Sequence, residues 1–161
     1  MKIILLIPIY NDRESLKKLI ENINYEVKDL NSEISVIAIN DASSQQIIDT
    51  YQDLENFLSF EIINMKENRG HARCIATGLK YIFEKKEFDF VIPMDGDGED
   101  KPEELKNFIN LSEQSSERSI IGERVKRSEG SFFQLCYQFH KFLTFAFTGQ
   151  SIKFGNFTCL S

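Results

Sequence analysis

The sequence predicts an α/β sandwich built on a mostly parallel central sheet, and three observations carry that prediction. Apolar runs of strand length, such as Ile3 to Ile9 and Ile34 to Ile39, lack the alternation of a strand wetted on one side, so both faces must be covered. Segments between the runs repeat apolar residues at helical spacing. The unusual polar residues gather just after the runs, where an open parallel sheet binds its ligands beyond the carboxyl ends of the strands.

The elements follow in order. Ile3 to Ile9 is too short for a membrane span and lacks a small-residue cleavage site, so it reads as a first strand. Leu16, Leu19, Ile20, Ile23 and Val27 form the inner stripe of a helix, with Asn11 placed to cap it and Glu14 three positions on to complete a capping box. Ile34 to Ile39 is the second strand. Ser43 or Ser44 then suits the cap of a helix striped by Ile47, Ile48, Tyr51 and Leu54. Phe60 to Ile63 supplies a third strand, and Ala72, Ile75, Ala76, Leu79, Ile82 and Phe83 another helix. Phe88 to Met94 is the fourth strand, Pro102 sits in the first turn of a further helix, and Ser119 to Gly122 closes the set as a short fifth strand.

A chain of 161 residues with 42% hydrophobic content is expected to form a single domain. The net charge of -6 argues against nucleic acid as a partner, since a phosphate-backbone binder needs a surplus of lysine and arginine. Cys74, Cys136 and Cys159 form no CxxC pair and have no histidine at ligand spacing, which suggests neither a disulfide framework nor a zinc site and fits a reducing, cytoplasmic compartment. Residues 154–161 still read as an apolar strand, so the domain is expected to lack a C-terminal acceptor or membrane segment.

The segment Asp95-Gly96-Asp97-Gly98-Glu99-Asp100 crowds four carboxylates into six positions directly after a buried strand. Such repulsion is offset by a cation, and ligands that are all oxygen select Mg²⁺ or Mn²⁺ over zinc. That ion would bridge carboxylate and diphosphate oxygens as a nucleotide diphosphate departs, with the glycines letting the backbone come close. Asp100, Glu103 and Glu104 are accounted for by an acidic turn that caps the following helix at its positive end; Asp95 and Asp97, emerging from a hydrophobic strand, are not. An EF-hand is a poor fit, because the D-x-D-x-D-G pattern and the glutamate at its twelfth position are missing.

These residues resemble a known family, the inverting family 2 glycosyltransferases of GT-A (Rossmann-like) fold. Ile7-Pro8-Ile9-Tyr10-Asn11-Asp12 looks like the family's opening I-P-x-Y-N-E, and Ile39-Asn40-Asp41-Ala42-Ser43 like its V-D-D-G-S turn. Asn68-Arg69-Gly70 with Gly78-Leu79 is similar to its N-x-G and later G-L. Met94 to Glu103 is close to the M-D-A-D-L-Q-H-P-P-E of the dolichol-phosphate mannosyltransferase branch, and Gly122-Glu123-Arg124 to that branch's G-S-R. Each motif is weak alone; five in order over nearly the whole chain are not.

The resemblance implies a transferase that moves a sugar from a nucleotide diphosphate, of UDP or GDP type, to a polyprenyl phosphate or glycan hydroxyl. It implies that Pro8, Tyr10, Asp12, Ile39, Asp41 and Gly96 bind the donor, that Asp95, Asp97 and Glu99 hold Mg²⁺ or Mn²⁺, and that Arg124 clamps phosphate oxygens. Asp95, Asp97 and Arg124 are the expected catalytic residues. Bland readings stand beside these: Tyr10 as a core aromatic, Asp41 as a helix cap, Arg124 as a surface charge.

The sequence departs from the family pattern at Asn40, Ala42 and Glu99, and more seriously where the branch carries an aspartate before G-x-F, since Ser151-Ile152-Lys153-Phe154 precedes Gly155-Asn156-Phe157. His140 is the titratable residue nearby, and a lone histidine among aromatics is more often packed than catalytic. A phosphate acceptor needs no base. The stretch 132–147, rich in phenylalanine, either rests on the inner face of the cell membrane beside Lys126, Arg127 and Lys141 or covers a missing C-terminal segment or the rest of the core. A sugar-nucleotide pyrophosphorylase or a dinucleotide dehydrogenase would need glycines in the 8–12 loop, which has none. A catalytically degenerate nucleotide-sugar-binding or regulatory domain stays open as the alternative.

Overall fold

The computed structural model describes residues 1–47, 54–98, 100–114, 120–121, 139 and 158–160. Strand β1 (Lys2–Ile9) leads through helix α1 (Arg13–Val27) to β2 (Glu33–Asn40) and on to β3 (Ser59–Asn64). Helix α2 (His71–Lys85) crosses to β4 (Phe90–Pro93), and a 3-10 turn (Pro102–Glu104) opens α3 (Leu105–Gln114). Two short strands, β5 (Ile120–Ile121) and β6 (Thr158–Cys159), complete the described elements.

The sheet has the order β3-β2-β1-β4, and every pairing in it is parallel. The uninterrupted apolar run of β1 is explained by its neighbours, because Ile3 to Ile9 are all buried and alternate between two cores. Ile3, Leu5, Ile7 and Ile9 join the inner stripes of α1 and α3 on one face. Ile4 and Leu6 join Ile37, Ile39, Cys74 and Ile82 beneath α2 on the other. The result is the expected three-layer sandwich. Gly78 keeps α2 close to the sheet: a Cβ there would lie 2.4 Å from Leu6 Cδ1 and 2.9 Å from Ile39 Cγ1.

This strand order positions the functional end of the molecule. From β1 the chain winds outward through β2 to β3, then returns to add β4 on the opposite side of β1; α1 and α3 lie on the same face, so the loops leaving β1 and β4 come side by side at the carboxyl edge.

Three expectations need correction. Asp12, not Asn11, caps α1, its Oδ1 accepting from Ser15 N at 3.1 Å. Asn11 adopts a left-handed backbone (φ 52) and spends its side chain on Ser44 instead, a conformation that asparagine tolerates better than most residues. The strand expected at 119–122 is present as β5, but it pairs antiparallel with β6 in a separate two-stranded sheet and does not extend the parallel one. An antiparallel bridge between Val91 and Leu160 ties that unit to β4. Asp100 does not cap the helix after Pro102; Lys101 holds the cap position, without a side-chain bond. Most of the helix expected over 47–54 lies outside the described residues, as does the 132–147 stretch, Cys136 and His140 included, with the exception of Phe139. Cys74 and Cys159 are buried free thiols. No helix among the described residues is long and apolar enough to cross a membrane.

Candidate active site at the carboxyl edge

Four loops meet at this edge, and each is tied to the next. The loop after β1 joins the loop after β2 through Asn11, whose backbone N–H donates to Ser43 Oγ at 2.8 Å and whose Oδ1 accepts from Ser44 N at 2.8 Å and Ser44 Oγ at 3.0 Å. Asp41 N also donates to Ile9 O at 2.9 Å. Asn40, at the end of β2, accepts from Ser43 N at 3.0 Å and donates through Nδ2 to Asn64 Oδ1 of β3 at 2.7 Å. An aspartate could make the first of these bonds but has no hydrogen for the second, so the departure from the family's paired aspartates at Asn40 has a local partner in Asn64.

The second loop grips the third through Asp41. The residue is 3% exposed, and its carboxylate accepts a bond on each oxygen, from Arg69 N at 2.8 Å and Gly70 N at 2.9 Å. Gly70 holds a left-handed backbone (φ 84) at the N-cap of α2, so the negative charge also lies at the positive end of that helix. Beneath it, Cys74 is fully buried and donates to Ile39 O at 3.2 Å. Burial, reinforced by the nearby charge of Asp41, pushes its thiol up to about 11, so it stays protonated at neutral pH as a neutral floor for the carboxylate.

The third loop meets the fourth where His71, the first residue of α2, places Nε2 3.4 Å from Asp95 Oδ1. Asp95 itself is anchored twice over: the strand ends below it with Met94 N donating to Leu6 O at 2.9 Å, and its own N–H donates to Asp100 Oδ2 at 2.9 Å. That bond explains why Asp100 is buried. It braces the acidic turn from within, the role that replaces the cap expected of it.

The fourth loop closes back on the first. Gly96 is buried against the end of β1, and a Cβ there would stand 2.7 Å from the carbonyl oxygen of Pro8. Gly98 (φ 81) then turns the chain in the left-handed region that glycine alone enters freely. Asp95 is thus half-buried at the strand end while Asp97 is carried out to the exposed crest of the turn.

Of the residues expected to form a site, Pro8, Tyr10, Asp12, Ile39, Asp41, Asp95, Gly96 and Asp97 fall on these loops or the strand ends below them. Tyr10 exposes its ring at 53% and is no core aromatic, whereas Pro8 and Ile39 are buried floor and Asp12 is engaged as the cap of α1. Glu99 and Arg124 lie outside the described residues. The sequence places Asn11 and His71 in loops at the carboxyl edge but does not give their roles, Asn11 as the lace between loops and His71 as the neighbour of Asp95. Asn11 had been read as a cap, and the signal for His71 was only its place directly after the glycine of Asn68-Arg69-Gly70.

A divalent cation suits Asp95 and Asp97 by donor chemistry: both offer hard carboxylate oxygens, in a turn the glycines let approach a ligand. Among the described residues no third acidic, histidine or cysteine side chain completes a closed cage. That fits an ion held by one or two carboxylates and completed by substrate phosphates.

The fold is that of the GT-A glycosyltransferases. S. aureus TarS 1-349 in complex with UDP-GlcNAc superposes with a TM-score of 0.57 at 22% identity, over 83% of this chain and 38% of that one. The mannosyltransferase PcManGT from Pyrobaculum calidifontis, in complex with GDP-Man and Mn²⁺, gives 0.57 at 19% identity over 83% and 37%. The chain belongs to glycosyl transferase family 2, whose model matches residues 4–160. Among curated relatives, the undecaprenyl-phosphate 4-deoxy-4-formamido-L-arabinose transferase of Proteus mirabilis is 27% identical over 133 residues, 83% of this chain and 40% of that protein. The transferase of the same name from Yersinia enterocolitica is 26% identical over 160 residues, 99% of this chain and 47% of that protein. The chain therefore spans less than half the length of these relatives.

Proposed function

We propose that this chain is the donor-binding catalytic domain of an inverting, hexosyl-type glycosyltransferase, which takes a sugar from a UDP- or GDP-sugar with the help of Mg²⁺ or Mn²⁺. The observation that carries the reading is the closed circuit of four loops, which brings Asp95 and Asp97 to the carboxyl edge beside the end of β1. Tyr10, with its exposed ring, and Asp12 face the nucleotide side together with Pro8, Ile39 and Asp41. Asp95 and Asp97 would hold the ion, with Glu99 beside them, and Arg124 would clamp the diphosphate. When bound, the ion offsets the negative charge that grows on the departing nucleotide diphosphate. The protein's own contribution is a preformed, braced turn that needs little rearrangement to receive it.

The acceptor is a polyprenyl phosphate in preference to a glycan hydroxyl. A phosphate monoester is already ionised and attacks without a general base, and the names of the curated relatives support this choice. The matching location is the cytoplasm, peripheral on the inner face of the cell membrane, as part of cell-envelope assembly; the domain, 1–161, acts there as a single unit.

The test is a panel of UDP- and GDP-sugars with Mn²⁺ and undecaprenyl phosphate, scored for donor consumption and glycolipid formation by the full-length protein. Turnover of one donor to a lipid-linked product supports the assignment. Binding of a donor without hydrolysis or transfer would point instead to the degenerate, nucleotide-sugar-binding alternative.

A further inference from the structure

We infer that His71 is a positioning residue for the acidic turn, holding the Asp95 carboxylate in the orientation in which it receives the divalent ion; this rests on the reading of Asp95 and Asp97 as the metal-holding pair. Asp95 has its backbone fixed by Met94 below and Asp100 beside it, but a fixed backbone leaves the carboxylate free to rotate. Rotation matters here because Asp97 lies two positions away and like charges push each other aside. His71 Nε2 faces Asp95 Oδ1 at 3.4 Å. The Asp95 side chain is 20% exposed and that of His71 57%, so the contact stands at the carboxyl edge and outside the core. The pair stands at ion-pair distance without the alignment of a formed hydrogen bond; outer partners that orient a metal-ligating carboxylate are worth about 10–100-fold in metal affinity.

The placement of His71 is itself specified from below. It is the first residue of α2, a helix pinned by the two bonds from the Arg69 and Gly70 amides to Asp41 and by the close approach of Gly78 to Leu6 and Ile39. The imidazole is therefore delivered to Asp95 by a rigid element. Through it, the nucleotide side of the site at Asp41 and the diphosphate side at Asp95 share one helix terminus.

The experiment is a thermal-shift titration of Mn²⁺, repeated with Mg²⁺, at fixed UDP or GDP, on wild-type protein, His71→Ala and His71→Gln. The expected result is that His71→Ala raises the half-saturating concentration of both metals about tenfold or more, while its metal-free melting temperature stays near that of the wild type. His71→Gln, whose amide offers a donor near the place of Nε2, recovers most of the loss. A histidine needed only for the stability of α2 would lower the metal-free melting temperature and leave the half-saturation unchanged, which overturns the inference. A loss confined to Mn²⁺ would make His71 a direct ligand, and also overturns it. Wild-type protein with no metal-dependent shift would bring down the donor-site reading itself, whereas a responsive wild type matched by His71→Ala would sink the positioning role alone.

Discussion

Gly96 lies against Pro8 so closely that a methyl group at position 96 would stand 2.7 Å from the Pro8 carbonyl oxygen. This contact seats the acidic turn on the end of β1, and it involves backbone on the Pro8 side, which cannot swing away as a flexible side chain would. Gly96→Ala is expected to lift the turn from the sheet, at a cost of about 1–3 kcal/mol in stability. Urea unfolding checks the stability, and a manganese titration of the folded variant should show weakened binding. Unchanged values for both would mean that the turn has room to spare.

Asp41 is expected to be sensitive to the loss of a single charge. In Asp41→Asn, one side-chain oxygen becomes an amide that cannot accept from the Arg69 or Gly70 N–H, leaving a buried donor facing another donor. The expected loss is about 1–3 kcal/mol by denaturant unfolding, with greater protease sensitivity at residues 67–70.

Ala42 stands where the family pattern has glycine, and it pays in backbone strain, with φ at 56. An L-residue other than glycine is disfavoured there by about 1–2 kcal/mol, of which the greater unfolded-state freedom of glycine offsets about half. Ala42→Gly is thus expected to stabilise the protein by about 0.5–1 kcal/mol, read as a higher urea midpoint with an unchanged slope.

At the far side of the sheet, Glu61 of β3 accepts from Tyr81 Oη at 2.6 Å and from Lys86 Nζ at 2.7 Å. Burial opposes ionisation of Glu61, but the bonds from Lys86 and Tyr81 outweigh it and hold the carboxyl below its usual 4.5; Lys86 is raised above its usual 10.5, chiefly by the bond to Glu61. The depressed carboxylate contributes stability that is present above 4.5 and lost as pH falls through its lowered value, and the raised ammonium contributes below 10.5 and loses that as pH rises beyond it. Glu61→Gln should therefore cost less than about 1 kcal/mol at neutral pH, since both side chains are one-third exposed, and the difference should vanish in strong acid. Melting temperatures measured across pH for both proteins provide the check.

Much of this architecture was legible in the chain because burial on both faces writes itself as unbroken apolar runs, as in Ile3 to Ile9 and Ile34 to Ile39. The inner stripe of α1 was read residue for residue, since Leu16, Leu19, Ile20, Ile23 and Val27 face one core. What escaped depended on contacts distant in sequence. Asn11 and Asp12 are equally good caps by type, and only the bonds from Ser43 and Ser44 decide that Asn11 turns away. Asp100 looked like a helix cap by position, yet the amide of Asp95 claims it. His71 falls at the end of the loop after β3, as the first residue of α2, but nothing local names its partner. Its meaning comes from β4 being added beside β1, which brings residues 71 and 95 together at one edge.

The proposed sharing of a divalent ion between Asp95, Asp97 and a nucleotide diphosphate is tested most directly by the Mn²⁺-dependent part of the thermal shift produced by UDP- and GDP-sugars. Wild-type protein should show that increment with at least one donor, and Asp97→Ala should lose it while keeping a cooperative transition. An undiminished metal-dependent shift in Asp97→Ala would contradict the account.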